Sequence, residues 1–168
     1  MTPMMVHRSI IGMAKFSKKF ETIRDDWETP QWLFDHLDAE FCFTCDVAAT
    51  EGNAKVSYYL DKSIDALGVR WEGVCWLNPP YGRQLAKWVK KAYEEALYGA
   101  IVVVLIPART NTVWWHKYCM KGAEIRFLLG RPKFKGAEHG LPQPLAIVVF
   151  DNSRKGLVVS SLDVRFLA

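Results

Sequence analysis

Val74-Cys75-Trp76-Leu77-Asn78-Pro79-Pro80-Tyr81 is the segment of this chain that carries the most structural information. Its four apolar residues predict a short buried strand. The residues after it predict a helix over residues 83–97, because apolar side chains recur there at helical spacing. The apolar run Ile101 to Ile106 follows, and such a run is typical of a central parallel strand covered on both faces. The segment therefore begins a strand–helix–strand unit.

The same alternation of strands and helices extends over the rest of the chain. Thr29 and Pro30 suit the N-cap and the first position of a helix. Further strands are predicted over residues 41–49, 56–60, 125–129 and 145–150, weaker ones over 156–160 and 164–167, and another helical segment over 112–121. We therefore expect an α/β fold of the doubly wound type with a mostly parallel sheet.

Polar residues and a proline mark the ends of the predicted strands. They are Asp46, Asp61, Asn78 and Pro107. In doubly wound folds, ligands bind outside the carboxyl ends of the strands, near the point where the strand order reverses. We therefore expect these residues to share one rim and to form a single active site.

Asn78 to Tyr81 have the chemistry to activate an amino group that is conjugated to a ring or a carbonyl. Such a nitrogen is a poor nucleophile because its lone pair is delocalised. The side-chain oxygen of Asn78 and the carbonyl of Pro79 can both accept its hydrogens, and the rigid Pro79-Pro80 pair brings no competing N–H. Tyr81 offers a flat face for stacking a ring. The motif predicts alkylation of an exocyclic amine, although Asn-Pro also favours an ordinary turn.

Length and composition are those of one globular domain. The chain has 168 residues, of which 50% are hydrophobic and 13% aromatic, so a substantial core is expected. No apolar run approaches the length of a transmembrane helix, and the first residues hold no apolar core of a secretion signal. We expect a cytoplasmic protein with a basic, partly ordered arm over residues 1–24 and a single domain over 25–168.

The cysteines do not have the spacing of a metal site. Cys42 and Cys45 form one Cys-x-x-Cys pair, but Cys75 and Cys119 are single and distant, whereas a zinc site usually has a second close pair. Cys42 and Cys45 lie in an apolar stretch and are expected to be small buried side chains. We predict no metal.

Charge is divided unevenly along the chain, although the formal net charge is only +4. Acidic residues dominate positions 25–78, whereas Lys and Arg dominate positions 1–24 and 109–135. This division suits a protein that binds a cationic small molecule and a polyanion. A solvated surface of mixed charge is the alternative explanation.

Besides Asn78 to Tyr81, seven other segments of the chain occur in the same order as the motifs of a known family. They are Asp26-Trp27-Glu28-Thr29-Pro30, Asp46-Val47-Ala48-Ala49, Asn53-Ala54, Asp65-Ala66-Leu67, Trp71, Leu105-Ile106-Pro107-Ala108 and Gly130-Arg131-Pro132-Lys133-Phe134. With them the chain resembles the phage-type, Dam-like DNA N6-adenine methyltransferases of phages and prophages. The wider methyltransferase class has a glycine-rich loop at this place, whereas the stretch after Asp46 holds one glycine. The phage-type family has the Ala-Ala pair seen here at Ala48 and Ala49, so this difference agrees with the narrower resemblance.

The resemblance implies methyl transfer from S-adenosylmethionine to the N6 of adenine in DNA. The fold would then be of the Rossmann-like methyltransferase type, with residues 25–168 as the catalytic domain. The target base would be flipped out of the duplex into the pocket, where Tyr81 could stack on it. A phage- or prophage-encoded protein in a bacterial host, acting on double-stranded DNA in restriction and modification, is the implied setting.

Candidate site residues follow from family position. The catalytic set is Asn78, Pro79, Pro80 and Tyr81, and the cofactor set is Thr29, Pro30, Asp46, Ala48, Asp61 and Asp65. Asp46 would pair with the ammonium group of the cofactor, Asp61 would meet its ribose hydroxyls and Asp65 its adenine. Six basic residues are candidate phosphate contacts, namely Arg83, Lys87, Arg109, Arg131, Lys133 and Lys135.

Four other activities remain open on the sequence. The acceptor motif also suits cytosine N4, RNA adenine or a protein glutamine, and a catalytically inactive DNA-binding relative is the non-enzyme alternative. A glutamine methyltransferase would usually bring a glycine-rich loop and an extra helical domain, and neither is visible in this chain. The recognition sequence and the oligomeric state are also left open.

Overall fold

The computed structural model describes residues 27–167. Its helices and strands are α1 (Gln31–Phe41), β1 (Cys45–Asp46), β2 (Val74–Leu77), α2 (Leu85–Leu97), β3 (Ile101–Pro107), α3 (Val113–Lys117), β4 (Glu124–Leu129), β5 (Leu145–Phe150) and β6 (Val158–Asp163), with a 3₁₀ turn at Cys119–Lys121. The expected arm over residues 1–24 lies outside the described residues.

The strands form one six-stranded sheet in the order β1-β2-β3-β5-β4-β6. β1, β2 and β3 are mutually parallel, β5 runs antiparallel to both β3 and β4, and β6 is parallel to β4. Five strands therefore run in one direction and only β5 is reversed. This confirms the expected α/β class and the mostly parallel sheet.

The centre of the sheet is buried on both faces. Every residue of β5 is buried, and so is every residue of β3 after Ile101. This is the burial expected of continuous apolar strands that have layers packed on either side. The strand–helix–strand unit predicted from residues 74–106 is therefore confirmed, because β2 and β3 are adjacent and α2 connects them.

α2 follows the predicted apolar spacing, with one difference at Glu95. Leu85, Val89, Ala92 and Ala96 are buried as expected. The apolar spacing predicts burial for apolar side chains only, but Glu95 is 2% exposed. Its carboxylate accepts the backbone N–H of Trp71 at 3.0 Å and pairs with Lys91 and Arg70, which compensates for burying its charge.

Four predicted strands differ in the structure. Residues 41–49 form only the two-residue strand β1, and residues 56–60 form a single bridge between Asp46 and Tyr59 in place of a strand. The weak strand at 156–160 overlaps β6, whereas residues 164–167 form no strand. The short bridge region lies at the outer side of β1, where long ladders are not required to bury a core.

The predicted N-cap and one cysteine are also corrected. Pro30, not Thr29, takes the N-cap position of α1, and no described side chain caps that helix. Cys42 is exposed and adopts the left-handed conformation that ends α1, so it is not a buried side chain, whereas Cys45 is. Among the described residues, no helix is both long and apolar enough to cross a bilayer.

Candidate active site

A cavity of about 730 Å³ opens at the carboxyl ends of β1 and β2. Parallel strands bring their following residues to one edge of a sheet, so Asp46 and Asn78 meet there although they are far apart in sequence. The cavity is lined by most of the residues singled out from the sequence, namely Thr29, Asp46, Ala48, Asp61, Asp65, Asn78, Pro79, Pro80 and Arg83. Its volume is typical of a small-molecule site.

Asp46 closes the loop that forms one side of the cavity. Its Oδ1 accepts the backbone N–H of Ala48 at 3.3 Å, and its Oδ2 accepts that of Lys55 at 3.1 Å. Burial raises the pKa of the Asp46 carboxyl above its ordinary value, and the two N–H groups and the Lys55 ammonium offset part of that rise. Asp46 therefore shapes the loop and also presents an acidic group to the cavity.

Asp61 and Asp65 lie on the next segment of the lining. Asp61 Oδ1 accepts both the hydroxyl and the N–H of Ser63, at 2.5 and 2.8 Å, and these bonds hold the pKa of Asp61 below its ordinary value. The backbone carbonyl of Asp65 accepts the N–H of Gly68 at 2.8 Å, which forms a turn. With Asp46 and Glu28, these residues give the cavity four carboxylates, against the three cationic side chains Lys55, Lys62 and Arg83. Carboxylates in the lining favour a ligand with positive charge.

Asn78 is held by two acceptors from the segment before α1. Its Nδ2 donates to the backbone carbonyl of Trp27 and, at 3.0 Å, to Thr29 Oγ1. Among the described residues, Asn78 Oδ1 is the buried side-chain polar atom that has no hydrogen-bond partner. A buried acceptor without a protein partner is rare. Because Asn78 lines the cavity, this oxygen keeps its capacity to accept an N–H group there.

Tyr81 does not line the cavity. Its side chain is 5% exposed, its hydroxyl donates to the Leu105 carbonyl at 3.3 Å, and its ring contacts Phe134 edge-to-face at 6.5 Å between centroids. Burial raises the pKa of the Tyr81 hydroxyl. Stacking on a ligand from this position requires the ring to leave Phe134. Pro30 and Pro107 are likewise absent from the lining, so the strand-end rim holds Asp46, Asp61 and Asn78 but not Pro107.

Glu28 and Lys55 line the cavity but were not singled out from the sequence. The Lys55 side chain is 7% exposed, and its ammonium lies 3.1 Å from Gln31 Oε1 and 3.9 Å from Glu28 Oε1. Lys55 belongs to the irregular loop after β1, where no periodic pattern marks which side chains turn inward. Three tryptophans, Trp27, Trp76 and Trp88, add apolar surface.

The six basic candidates divide into two groups. Arg83 and Lys87 are exposed at and just after the cavity mouth, and Arg131 and Lys133 are exposed on the segment after β4. Lys135 is exposed too, but it pairs with Glu28 at 3.2 Å. Arg109 is partly buried, and its Nη2 donates to the Tyr81 carbonyl at 3.1 Å and to Gln143 Oε1 at 3.2 Å. Arg109 thus fastens the Asn78–Tyr81 loop to the protein.

The polar groups of the cavity lining suit a positively charged ligand and an N–H donor. No group of three or more His, Cys, Asp and Glu side chains within residues 27–167 is arranged to hold a metal. The three aspartates suit a ligand with positive charge, and Asn78 Oδ1 suits a second ligand that donates an N–H. The arrangement can bind a cation and a planar amine side by side.

Comparisons with known proteins agree with this chemistry. The family model described as DNA N-6-adenine-methyltransferase (Dam) matches residues 16–151, which include the cavity and every strand except β6. The DNA N-6-adenine-methyltransferase of Haemophilus phage HP1 (strain HP1c1) is 30% identical over 119 residues, 69% of this chain and 68% of that protein. The DNA N-6-adenine-methyltransferase of Escherichia phage T1 is 32% identical over 109 residues, 62% of this chain but only 45% of that protein. No solved structure gives a significant match.

Proposed function

Because this chain belongs to the Dam family of DNA N-6-adenine-methyltransferases, we propose that it methylates the N6 amino group of adenine in DNA at the cavity that holds Asn78. The observation that carries the proposal is the buried, unpartnered Asn78 Oδ1 in the lining. The planar amino group of adenine can donate an N–H to such an acceptor. We propose S-adenosylmethionine as the methyl donor and a Rossmann-like methyltransferase type for the fold, with residues 25–168 as the catalytic domain.

The cofactor would be held by the acidic side of the cavity. Asp46, near the carboxyl end of β1, would accept the cofactor's ammonium group, and Asp61 would accept its ribose hydroxyls. Asp65 would face its adenine, while Ala48 lies beside Asp46 without side-chain bulk. When bound, S-adenosylmethionine supplies a methyl group that its sulfonium already activates toward attack. These three aspartates opposite a cationic ligand support this arrangement.

The reacting amine would be prepared by neutral acceptors. Asn78 Oδ1 and the carbonyl of Pro79 would accept the two N6 hydrogens, which draws the nitrogen toward a tetrahedral geometry and frees its lone pair. These acceptors are held in place before the reaction, so they need no reorganisation as charge develops on the nitrogen. Pro80 keeps the chain rigid and has no N–H that would compete for the carbonyl.

DNA would approach from the side that carries the exposed basic residues. Inside a duplex the N6 atom cannot reach the cavity, so the target adenine would be flipped out of the stack. Arg83 and Lys87 lie at and after the mouth, and Arg131 and Lys133 lie on the segment whose Phe134 touches Tyr81. Phosphate contacts from these side chains would orient the duplex. We propose a protein encoded by a phage or prophage and acting inside the bacterial host, as the origins of its relatives suggest.

The test is a methylation assay with product identification. Unmethylated double-stranded DNA is incubated with methyl-labelled S-adenosylmethionine, digested to nucleosides and examined by mass spectrometry. We expect N6-methyladenine from the wild-type protein and none from Asn78→Ala, which keeps cofactor affinity within about threefold because Asn78 contacts the amine. The matched control is Asn152→Ala, at an exposed loop position after β5.

Other outcomes would change the assignment. N4-methylcytosine would keep the mechanism and change the base. Label in RNA or in a protein glutamine, with none in DNA, would change the substrate class. Cofactor binding without any transfer, or no cofactor binding by calorimetry, would favour an inactive DNA-binding relative. Normal turnover by Asn78→Ala would remove Asn78 from the reaction.

A further inference from the structure

Hydrogen bonds, and not packing alone, orient the side-chain amide of Asn78. A carboxamide nitrogen carries two hydrogens, and Asn78 Nδ2 has two acceptors, the Trp27 carbonyl and Thr29 Oγ1. A backbone carbonyl cannot donate a hydrogen bond. If the amide were turned over, its oxygen would face the Trp27 carbonyl oxygen and its N–H groups would lose both partners. The oxygen is therefore directed away from Trp27.

The Thr29 side chain hydrogen-bonds to Asn78 and not to the helix that follows it. A threonine just before a helix would ordinarily accept an N–H of the first turn. Here Pro30 occupies the N-cap of α1, and no described side chain caps that helix. The Thr29 side chain is buried, at 3% residue exposure, and its oxygen accepts from Asn78, 49 positions along the chain. The preferred local bond has thus been replaced by a distant one at the active site.

From these contacts we propose that Thr29 is a positioning residue for methyl transfer. With the Trp27 carbonyl, it fixes the Asn78 carboxamide so that Oδ1 points at the substrate amine. Thr29 itself contacts neither the amine nor the methyl group. The inference rests on the proposed function, and it replaces the cofactor-binding role that the sequence suggested for Thr29.

The same geometry predicts that an amide at position 78 cannot be replaced by a carboxylate. An aspartate at position 78 has two acceptor oxygens and no donor for the Trp27 carbonyl. One of its oxygens would face that carbonyl with like partial charge, in a region where the neighbouring groups are buried. Asn78→Asp should therefore fail to present a correctly placed acceptor, although it has nearly the same shape.

The kinetic test compares Thr29→Val with Thr29→Ser. Valine keeps the shape and loses the acceptor, whereas serine keeps the oxygen. We expect kcat to fall about 10- to 100-fold in Thr29→Val, as for other residues that orient a reacting group, and to stay within about threefold in Thr29→Ser. The Kd for S-adenosylmethionine should change less than about threefold in both. Thr44→Val is the control, because Thr44 Oγ1 bonds to Val74 at the opposite end of the sheet.

A second measurement does not depend on turnover. In ¹⁵N-labelled protein the side-chain NH₂ pair of Asn78 is identified by its absence in Asn78→Ala. Hydrogen bonding to Trp27 and Thr29 should slow exchange of both protons with water. We expect this protection to fall at least about tenfold in Thr29→Val and to persist in Thr29→Ser and Thr44→Val. A wild-type protein that shows the protection but does not methylate DNA would contradict the proposed function and leave the orientation of Asn78 intact.

Three results would overturn the positioning role. One is normal kcat in Thr29→Val with a weakened Kd for S-adenosylmethionine, which would return Thr29 to the cofactor site. Another is an equal loss of kcat in Thr29→Val and Thr44→Val, which would indicate a general effect on folding. The third is Asn78→Asp with wild-type kcat, because the donor to Trp27 would then be unnecessary.

Discussion

Asp46 has an almost completely buried carboxyl at the carboxyl end of β1, and both of its oxygens accept backbone N–H groups. Those bonds shape the loop over residues 47–55, while the remaining acceptor capacity faces the cavity. Burial raises its pKa above the ordinary value, because burial penalises the charged carboxylate. A cation beside the carboxylate would offset that penalty. The residue is thus suited to bind a cation selectively.

Replacing Asp46 by asparagine should weaken cofactor binding specifically. The change removes one charge and one acceptor, and a charge-assisted hydrogen bond is worth about 1.5–3 kcal/mol, so Kd should rise about 10- to 100-fold. Because the pKa of Asp46 is raised, wild-type affinity should fall as the pH drops toward that pKa, starting at a higher pH than for an exposed aspartate. Calorimetric titration at several pH values measures both effects.

The control for this change is Asp163→Asn on β6, whose carboxylate pairs with Arg165 away from the cavity. It should leave Kd unaltered. An unchanged Kd in Asp46→Asn would exclude Asp46 from the cofactor site, and a Kd that does not vary with pH would show that its ionisation is not needed.

Helix α1 is joined to β4 by a network of charged side chains. The Arg126 guanidinium on β4 pairs with Glu40 of α1 and with Glu124, and Glu124 also pairs with Arg154 at 3.2 Å. Arg126 is the first cause of the lowered pKa of both Glu40 and Glu124. Arg126 and Glu124 have side chains only 12% and 10% exposed, so this pair is screened less than a surface pair.

Arg126→Met should destabilise the fold and change its acid sensitivity. The variant leaves Arg154 as the partner of the nearly buried Glu124 carboxylate, which should lower the free energy of unfolding by about 1–3 kcal/mol at pH 7. The lost pair with Glu40 should contribute little, because Glu40 is half exposed. Both carboxyls have folded pKa values below the ordinary 4.5, so their stabilisation is present above that pH and is lost as the pH falls through the folded values. The variant should therefore lose less stability than wild type on acidification below about 4.5.

Urea unfolding at several pH values measures this difference. Arg165→Met is the matched control, because its pair with Asp163 lies at the exposed end of β6 and should add little to stability or to its pH dependence. Equal unfolding midpoints for Arg126→Met and wild type would contradict the role of the network.

At the scale of the whole molecule, the basic segment after β4 is packed directly beside the active site. Arg131, Lys133 and Lys135 are exposed, while Pro132 and Phe134 between them are buried. The Phe134 ring lies 6.1 Å from Trp27 and 6.5 Å from Tyr81, centroid to centroid. Because exposed and buried residues alternate, the three basic side chains lie on the same outer side of the segment. The contacts of Phe134 place this side next to the Asn78 loop. A DNA backbone held there would pass close to the cavity.

We expect DNA affinity to fall steeply with salt, because phosphate contacts release counterions. Arg131→Ala and Lys133→Ala should each reduce the slope of log K against log salt by about 1, and the double variant by about 2. Fluorescence anisotropy with a labelled duplex at several salt concentrations measures the slope. Lys155→Ala, at an exposed position in the loop after β5, is the control and should leave it unaltered. A slope that is the same in wild type and all four variants would exclude this segment from the DNA contact.

Local patterns were enough to predict the strand–helix–strand unit, the mostly parallel sheet and the cavity residues Asp46, Asp61, Asp65 and Asn78. Apolar spacing reports which face of an element is buried, and a residue that ends a parallel strand must lie at the ligand-binding edge. The irregular loop between β1 and β2 has no such periodicity. The inward turn of Lys55 and the absence of a strand at residues 56–60 could therefore not be predicted.

The sequence by itself determined the family and the acceptor motif, because both depend on residues that are adjacent in the chain. Only the tertiary structure decided how the motif is held. Thr29 hydrogen-bonds to Asn78 and not to its own helix, Arg109 donates to the Tyr81 carbonyl, and Tyr81 lies against Phe134. Each of these contacts joins residues at least 28 positions apart, and no local propensity specifies which partner a polar side chain meets across such a distance.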